Sequence, residues 1–467
     1  MKASWVCGFA IACVMLSADH VGAQTVSEGS FNIVCNYSHR LPDDAIVYPG
    51  KPGIAMQHDF FGNTTANAYS TAESLLAVSG TTCENAADGT AYWAPSLKLP
   101  DGTVVAPTYQ KTYYKNQAVP STKNVVVQPF PPGLKMMVGD HHGTQPNPRI
   151  SFLCTGRGYT NTIPTNCVPD PATGTQFNIG MNFPTCWDGI NLSPVMGGHD
   201  NMAYPDSNGN CPSGYPVHLP EVNMNIAYRL GQISDLTGVQ LSLDPQLDAQ
   251  GKVVKQLWGS LYTAHGDFFM GWRAQAAQFM ASYCLNKGRV CNHELAYSYN
   301  EPSGDATVVS GSASNYGTAT TLNAQQASGS TPASVFYVKF KIPEGAVTLP
   351  PDFTPRYVLL VYGGNATDTA AVNIGAYSVS TDWSEQTING TNAPACQGTK
   401  ATLYLDNQQQ YRGFTVTDAV NQAIAAGRDT VAFCVSGNGA GRLFQFGSKE
   451  SGNKPVLYMI AVNPLPT

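Results

Sequence analysis

Val222-Asn223-Met224-Asn225-Ile226 alternates apolar and polar side chains without a break. In an extended chain successive side chains point to opposite faces, so Val222, Met224 and Ile226 share one face and the asparagines share the other. That is the signature of a half-buried strand, and short alternating or β-rich runs recur upstream. They include Phe31-Asn32-Ile33-Val34, Asn124-Val125-Val126-Val127, Ile150-Ser151-Phe152-Leu153 and Phe177-Asn178-Ile179-Gly180-Met181. Turn chemistry separates them, as at Pro131-Pro132-Gly133, Pro146-Asn147-Pro148 and residues 169–174. Helix signals are few. Residues 71–78 could form a short helix, and 272–285 carries apolar positions at Ala276, Phe279, Met280 and Tyr283. Residues 24–295 therefore predict an antiparallel β-sandwich, jelly-roll-like, with one or two short helices.

Downstream the chain changes character. Residues 296–330 are rich in Ser, Thr, Gly and Ala and poor in charge, as a linker would be. Within them, however, Asp305-Ala306-Thr307-Val308-Val309 and the Asn315-Tyr316-Gly317 turn look like the opening of a second domain. Strand patterns follow at 335–342, 357–362, 376–379, 402–405, 430–435 and 456–462, with a helix expected over 416–426. Residues 296–467 thus predict a second β-sandwich, and the chain as a whole is expected to be all-β apart from a few short helices.

The first 23 residues predict an export signal. Lys2 supplies the charge, residues 5–17 the apolar stretch, and Val21-Gly22-Ala23 the small-residue cleavage site. The apolar stretch is shorter than the roughly 20 residues a membrane span needs, and no later segment predicts one. Twelve cysteines become ten once Cys7 and Cys13 leave with the signal. An even number in an exported chain favours disulfides. Pairing between sequence neighbours is expected: Cys35 with Cys83, Cys154 with Cys167, Cys186 with Cys211, Cys284 with Cys291, and Cys396 with Cys434. No Cys-x-x-Cys or Cys/His finger spacing argues for structural zinc. Charged residues make up 12% of the chain, about half the usual 25%, and the net charge is −6 with no basic cluster. Nucleic acid is therefore a poor partner. A secreted, periplasmic or cell-surface monomer is expected.

Histidine and carboxylate occur together repeatedly in this charge-poor chain: His58 with Asp59, Asp140 with His141, His199 with Asp200, His218 near Glu221, and His265 with Asp267. Such groups can bind a divalent metal or serve as general acid and base. Each also has a plain structural reading as a satisfied loop residue. In Tyr262-Thr263-Ala264-His265-Gly266-Asp267-Phe268-Phe269-Met270-Gly271-Trp272, extended geometry puts His265 and Asp267 on one face. His58, His199 and His265 are expected to converge on one pocket. Trp187 and Asp188 in Cys186-Trp187-Asp188-Gly189 could stack on and hold a sugar, or simply pack on a disulfide and start a turn. Asp140 could open an Asx turn, and His218, set between prolines, could be structural. No Gly-x-Ser-x-Gly elbow supports a serine nucleophile.

The first part resembles a secreted domain family of unknown function found in fungal and bacterial secretomes. The resemblance rests on His58-Asp59-Phe60-Phe61-Gly62, Trp93-Ala94-Pro95, Pro132-Gly133-Leu134-Lys135-Met136 with Gly139-Asp140, Cys186-Trp187-Asp188-Gly189, His199 with Ala203-Tyr204-Pro205, Cys211-Pro212 with Tyr215 to Pro220, and His265 to Trp272. Family members often carry a second histidine two positions before the one matching His58; Met56 stands there in this chain. The second part resembles the DNRLRE-type domain related to disaggregatase, a carbohydrate-binding β-sandwich. There the matching residues are Asp305, Asn315-Tyr316-Gly317, Phe336 to Phe340, Trp383-Ser384-Glu385, Asn392-Ala393-Pro394, Ser448-Lys449-Glu450 and Pro455. The resemblance implies attachment to a polysaccharide or cell-wall glycan.

The resulting expectation is a glycan hydrolase or lyase with an appended glycan-binding domain. His265 and His58 would act as base or metal ligand, with His199 beside them and Asp267 and Asp59 as acid or orienting groups. Trp272, Trp187, Asp188, His218, Asp140 and His141 would line the substrate site. A non-catalytic wall-binding protein and a secreted metal-dependent hydrolase of another substrate are the alternatives. No cofactor is required by any motif, although a divalent metal could be held.

Overall fold

The computed structural model describes residues 26–77, 80–344, 349 and 352–463; the expected export signal lies outside the described residues. The chain is mostly β, and its large sheets are antiparallel. Ten strands of the first part form one sheet in the order Lys135–Gly139, His265–Phe269, Ala91–Pro95, His58–Gly62, Ser30–Leu41, Tyr109–Lys115, Glu221–Arg229, Gln176–Asn182, Ile150–Cys154, Gly158–Thr160. The opening alternation lies in Glu221–Arg229, and Val222, Met224 and Ile226 are all buried.

Strand Ser30–Leu41 joins two halves of this sheet. Its first part pairs with Tyr109–Lys115 and its last part with His58–Gly62, with a register shift between Tyr37 and His39. The two halves then pack face to face, burying apolar side chains that water would otherwise have to surround. Gly266 marks a close approach: a Cβ there would lie 2.6 Å from Met181 Sδ and 2.7 Å from Met224 Cε of the opposite half. Phe268 continues the contact against Phe183, with ring centroids 6.3 Å apart. Two smaller sheets flank this body. One is Val253–Ser260, Gln240–Leu247, Leu97–Lys98, Val104–Val105, and the other is Met202–Ala203, Cys186–Trp187, Val217–His218.

The expected strand at 124–127 is not one. Asn124 makes a single bridge to Gln117, and the side-chain amide of Asn286 supplies the ladder bonds instead, accepting from Val127 N at 2.9 Å and donating to Val127 O at 2.8 Å. The expected helices appear as Ala72–Ala77, Ala274–Phe279 and Thr417–Ala425. The middle one continues as a π turn, Met280–Cys284, and a 3-10 turn, Leu285–Lys287.

The second part is an eleven-stranded antiparallel sheet. Ser334–Lys341 sends Phe336, Val338 and Phe340 into the main core and Tyr337 into a separate apolar cluster with Ala432 and Cys434. Its first strand, Ala296–Asn300, pairs with Val456–Val462, so the Ser/Thr/Gly-rich region is folded rather than a free linker. The two parts touch through Ala86 N to Ala461 O at 2.9 Å, Asn463 N to Glu84 O at 2.8 Å, and Phe279 against Tyr458 at 4.8 Å. Five disulfides join the neighbouring cysteines in the expected pairs. No described helix is long and apolar enough to cross a membrane. The disulfides fit an exported protein.

Candidate functional site

Strand His265–Phe269 runs between Lys135–Gly139 and Ala91–Pro95, with Asp267 opposite Met137 on one side and Trp93 on the other. Gly266 and Phe268 face the inner core, so alternation turns His265 and Asp267 to the outer face. Strand His58–Gly62 lies on the other side of Ala91–Pro95, with His58 opposite Pro95 and Phe60 opposite Trp93. Continuing the register places Pro95 between His265 and His58, all facing the same way. The floor beneath is apolar: Phe60, Trp93, Phe269, Ala45 and Ile46 form one buried cluster.

Asp59 follows His58 directly and therefore faces the other way. It is bound by Arg40, whose Nε donates to Oδ1 at 2.6 Å and whose Nη2 donates to Oδ2 at 3.1 Å; Nη2 also donates to Val105 O at 3.0 Å. Asp59 is thus an anchor that fixes the strand carrying His58, and it stands outside the pocket.

Both pocket histidines are locked by main-chain carbonyls. His58 Nδ1 lies 2.9 Å from Asp43 O, and His265 Nδ1 lies 3.0 Å from Thr263 O. A carbonyl can only accept, so each Nδ1 carries the proton and each Nε2 presents a lone pair. The two rings stand nearly perpendicular, 5.9 Å apart. One donor atom from each of His58, His265 and Asp267 falls within 4.8 Å of the others. His58 is 1% exposed and Asp267 2%, and neither His58 Nε2 nor Asp267 Oδ2 has a hydrogen-bond partner. Burial pushes both imidazoles down to about 4. At His265 the neighbouring His58 adds to the effect, while the Thr263 carbonyl opposes it. Burial, with the Asp44 carboxylate nearby, pushes Asp267 well above the usual carboxylate range.

His265 and Asp267 open onto a pocket lined with them by Asp44, Val47, Tyr48, Met56, Met137, Val138, Gly139, His141, Met196 and Asp244. Asp44 Oδ1 accepts from Ile46 N at 2.7 Å and Val47 N at 2.8 Å, and burial raises it. Tyr48 donates to Asp244 Oδ2 at 3.2 Å. The His141 ring lies 6.1 Å from that of His265. Asp44, Tyr48, Asp244 and Met196 escape a reading of the sequence because they arrive from loops and a strand far apart in the chain. The one signal for them is the Asp43-Asp44 doublet in so charge-poor a sequence.

The remaining expected site residues lie elsewhere. His199 does not join His58 and His265; its Nε2 lies 2.8 Å from Asp188 Oδ2 and its ring stacks on Tyr215 at 5.8 Å. Asp188 ties down its own loop, accepting from Ile190 N and Asn191 N at 2.8 Å each and from Asn191 Nδ2 at 2.7 Å. Burial raises this carboxyl, but those donors and His199 outweigh it and hold it at about 2. Trp187 donates from Nε1 to Asn191 O at 2.8 Å in the same loop. His218 sits opposite Cys186 with Nδ1 3.3 Å from Cys211 Sγ, against the disulfide. Asp140 makes an Asx turn, accepting from His142 N at 2.9 Å.

Trp272, expected to contact sugar, is 1% exposed. Its Nε1 donates to Tyr114 OH at 3.1 Å; Tyr114 OH meets Tyr92 OH at 2.6 Å, and Tyr92 donates to Asp88 Oδ2 at 2.8 Å. This relay is a satisfied polar core, which is why the indole points inward. Burial pushes Asp88 up to about 7. Because its folded value lies above the unfolded one, Asp88 contributes stability fully only below about pH 4, and that contribution is lost as pH rises to about 7. The melting temperature of Asp88→Asn relative to wild type is therefore expected to climb by several degrees between pH 5 and pH 8. A difference that is flat with pH would show that Asp88 titrates normally.

Residues 44–272 match a domain of unknown function, DUF1996, and residues 296–461 match carbohydrate-binding module family 96. The chain carries a DUF1996 domain followed by a family 96 carbohydrate-binding module. No curated protein matches it. The DUF1996 match begins at Asp44 and ends at Trp272, so it takes in every residue lining the pocket. The second match supports glycan binding by this chain.

Proposed function

We propose that the DUF1996 domain is a polysaccharide-active enzyme, a glycan hydrolase or lyase whose reactive centre is the His58–His265–Asp267 pocket. The family 96 module would hold it on the glycan. The observation that carries the reading is the convergence of one ring nitrogen from each of His58 and His265 and a carboxylate oxygen of Asp267 within 4.8 Å, with His58 Nε2 and Asp267 Oδ2 buried and unpartnered. A buried polar atom without a partner costs about 1–3 kcal/mol. Folds retain that cost where a substrate or ion supplies the missing partner.

His265 would serve the scissile position through Nε2, as general base or as the ligand of a metal ion. It is the least buried member of the set, though still largely covered, and its Nδ1–H is already committed to Thr263 O. Asp267 would act as acid or orienting partner from the same strand face. Asp44 and Asp244 would add acceptors for sugar hydroxyls at the pocket wall. The test is a survey of insoluble polysaccharides. The full chain is first scored for sedimentation with each glycan, and the retained glycans are then followed for soluble product. Product from at least one bound glycan is expected; binding without product from any of them would make this a glycan-binding protein only.

A further inference from the structure

The unpartnered donors of the pocket share one geometry. We propose that His58, His265 and Asp267 are the protein ligands of a divalent transition-metal ion, held by the two Nε2 atoms and the Asp267 carboxylate, with its remaining positions open to the pocket. This deepens the reading of the pocket as the reactive site and rests on it.

The donor set carries the argument. Neutral imidazole nitrogens with one carboxylate suit zinc and its first-row neighbours; magnesium and calcium prefer all-oxygen cages. Three protein ligands with a fourth position free is the pattern of a catalytic rather than a structural centre. Ligand atoms around a tetrahedral zinc lie roughly 3.4 Å apart, from metal–nitrogen bonds of about 2.0–2.1 Å. The observed spread, within 4.8 Å, closes to that by small side-chain rotations.

The surroundings are those of a ligand set. Metal-bound histidines commonly donate their second ring N–H to a carbonyl or carboxylate, which fixes the tautomer. Here His58 Nδ1 does so to Asp43 O and His265 Nδ1 to Thr263 O. A cation would satisfy His58 Nε2 and Asp267 Oδ2 together, both of which lack a partner. The lining includes Asp44 and Asp244 but no lysine or arginine; Lys135, whose charge reaches Asp44, donates its Nζ to Ala45 O. Two other groupings of metal-binding residue types, around Cys186 with His218 and around Cys35 with Asp88, are disulfides whose sulfurs are already bonded to each other.

The full chain, stripped with a chelator and dialysed, should take up a single equivalent of Zn²⁺ by elemental analysis after gel filtration and melt at higher temperature with it. Loaded with Co²⁺, it should show the d–d absorption of a low-coordinate site. Loss of outer-shell partners typically weakens metal binding 10–100-fold, so His265→Ala and Asp267→Asn, which remove ligands, should weaken Zn²⁺ at least about 100-fold. His142→Ala, on the exposed neighbour of His141, should bind as wild type does. Should His265→Ala fold poorly, Asp267→Asn gives the same readout with an isosteric side chain. Wild type that retains no Zn²⁺ or Co²⁺, or variants that retain wild-type stoichiometry and affinity, would overturn the proposal. Stripped protein that still cleaves glycan at full rate would remove the metal and leave the enzymatic reading standing. Tight Zn²⁺ binding that is lost in both variants, in a protein that cleaves no glycan, would do the reverse.

Discussion

Asp267→Asn is expected to lower product release from a susceptible polysaccharide by at least about 10²-fold, the lower bound for losing a general acid–base group. The same change should leave the melting temperature of the metal-free protein unchanged or slightly raised. The two outcomes have one cause. Asp267 Oδ2 is buried without a partner, and a buried carboxylate without a partner is a cost to the fold rather than a brace for it. An amide of the same shape lowers that cost while removing the group the chemistry needs. A residue with only a structural role would behave oppositely, losing stability with little change in turnover. Circular dichroism melts in chelator, beside product assays, separate the two.

Arg40→Ala is expected to have the largest effect on stability of any single change discussed for the first domain, about 3–5 kcal/mol, because it strands the Asp59 carboxylate. Asp59 has no exposed side-chain surface, and Arg40 is its ion-pair partner through two donors. The paired change Arg40→Met with Asp59→Leu should recover much of the loss, since apolar replacement of a whole buried pair is often neutral. Urea unfolding of Arg40→Met, Asp59→Leu and the pair measures this. A pair as unstable as the sum of its parts would show that the two residues act independently. The consequence for function is positional. The Arg40 clamp holds Asp59 on one face of its strand, and that holds His58 on the other.

What was legible in the sequence was local. The alternation at Val222 to Ile226 is a strand with its apolar face buried, and the two-residue spacing of His265 and Asp267 puts both on one face because the period of a strand is two. The same rule, applied to His58 and Asp59, shows that adjacent residues cannot both enter one pocket. What could not be read is which strands become neighbours. Only the sheet order brings His58 to within one strand of His265, and only the loop after Ser30–Leu41 brings Asp44 and Tyr48 over them. Trp272 lies just past the end of the His265 strand, and nothing in its immediate neighbours shows that it turns inward to Tyr114. His199 and Asp188 are paired, but with each other and with a loop they close. The distinction depends on contacts between segments far apart in sequence, where local pattern carries no information.

The most direct measurement is the appearance of new reducing ends from a panel of plant, fungal, algal and bacterial polysaccharides incubated with wild type and with His265→Ala, side by side. The account predicts release by wild type from at least one glycan and at least about 100-fold less by the variant, with equal retention of both proteins on that glycan. Equal release by the two proteins, or none by wild type from any glycan, would contradict it.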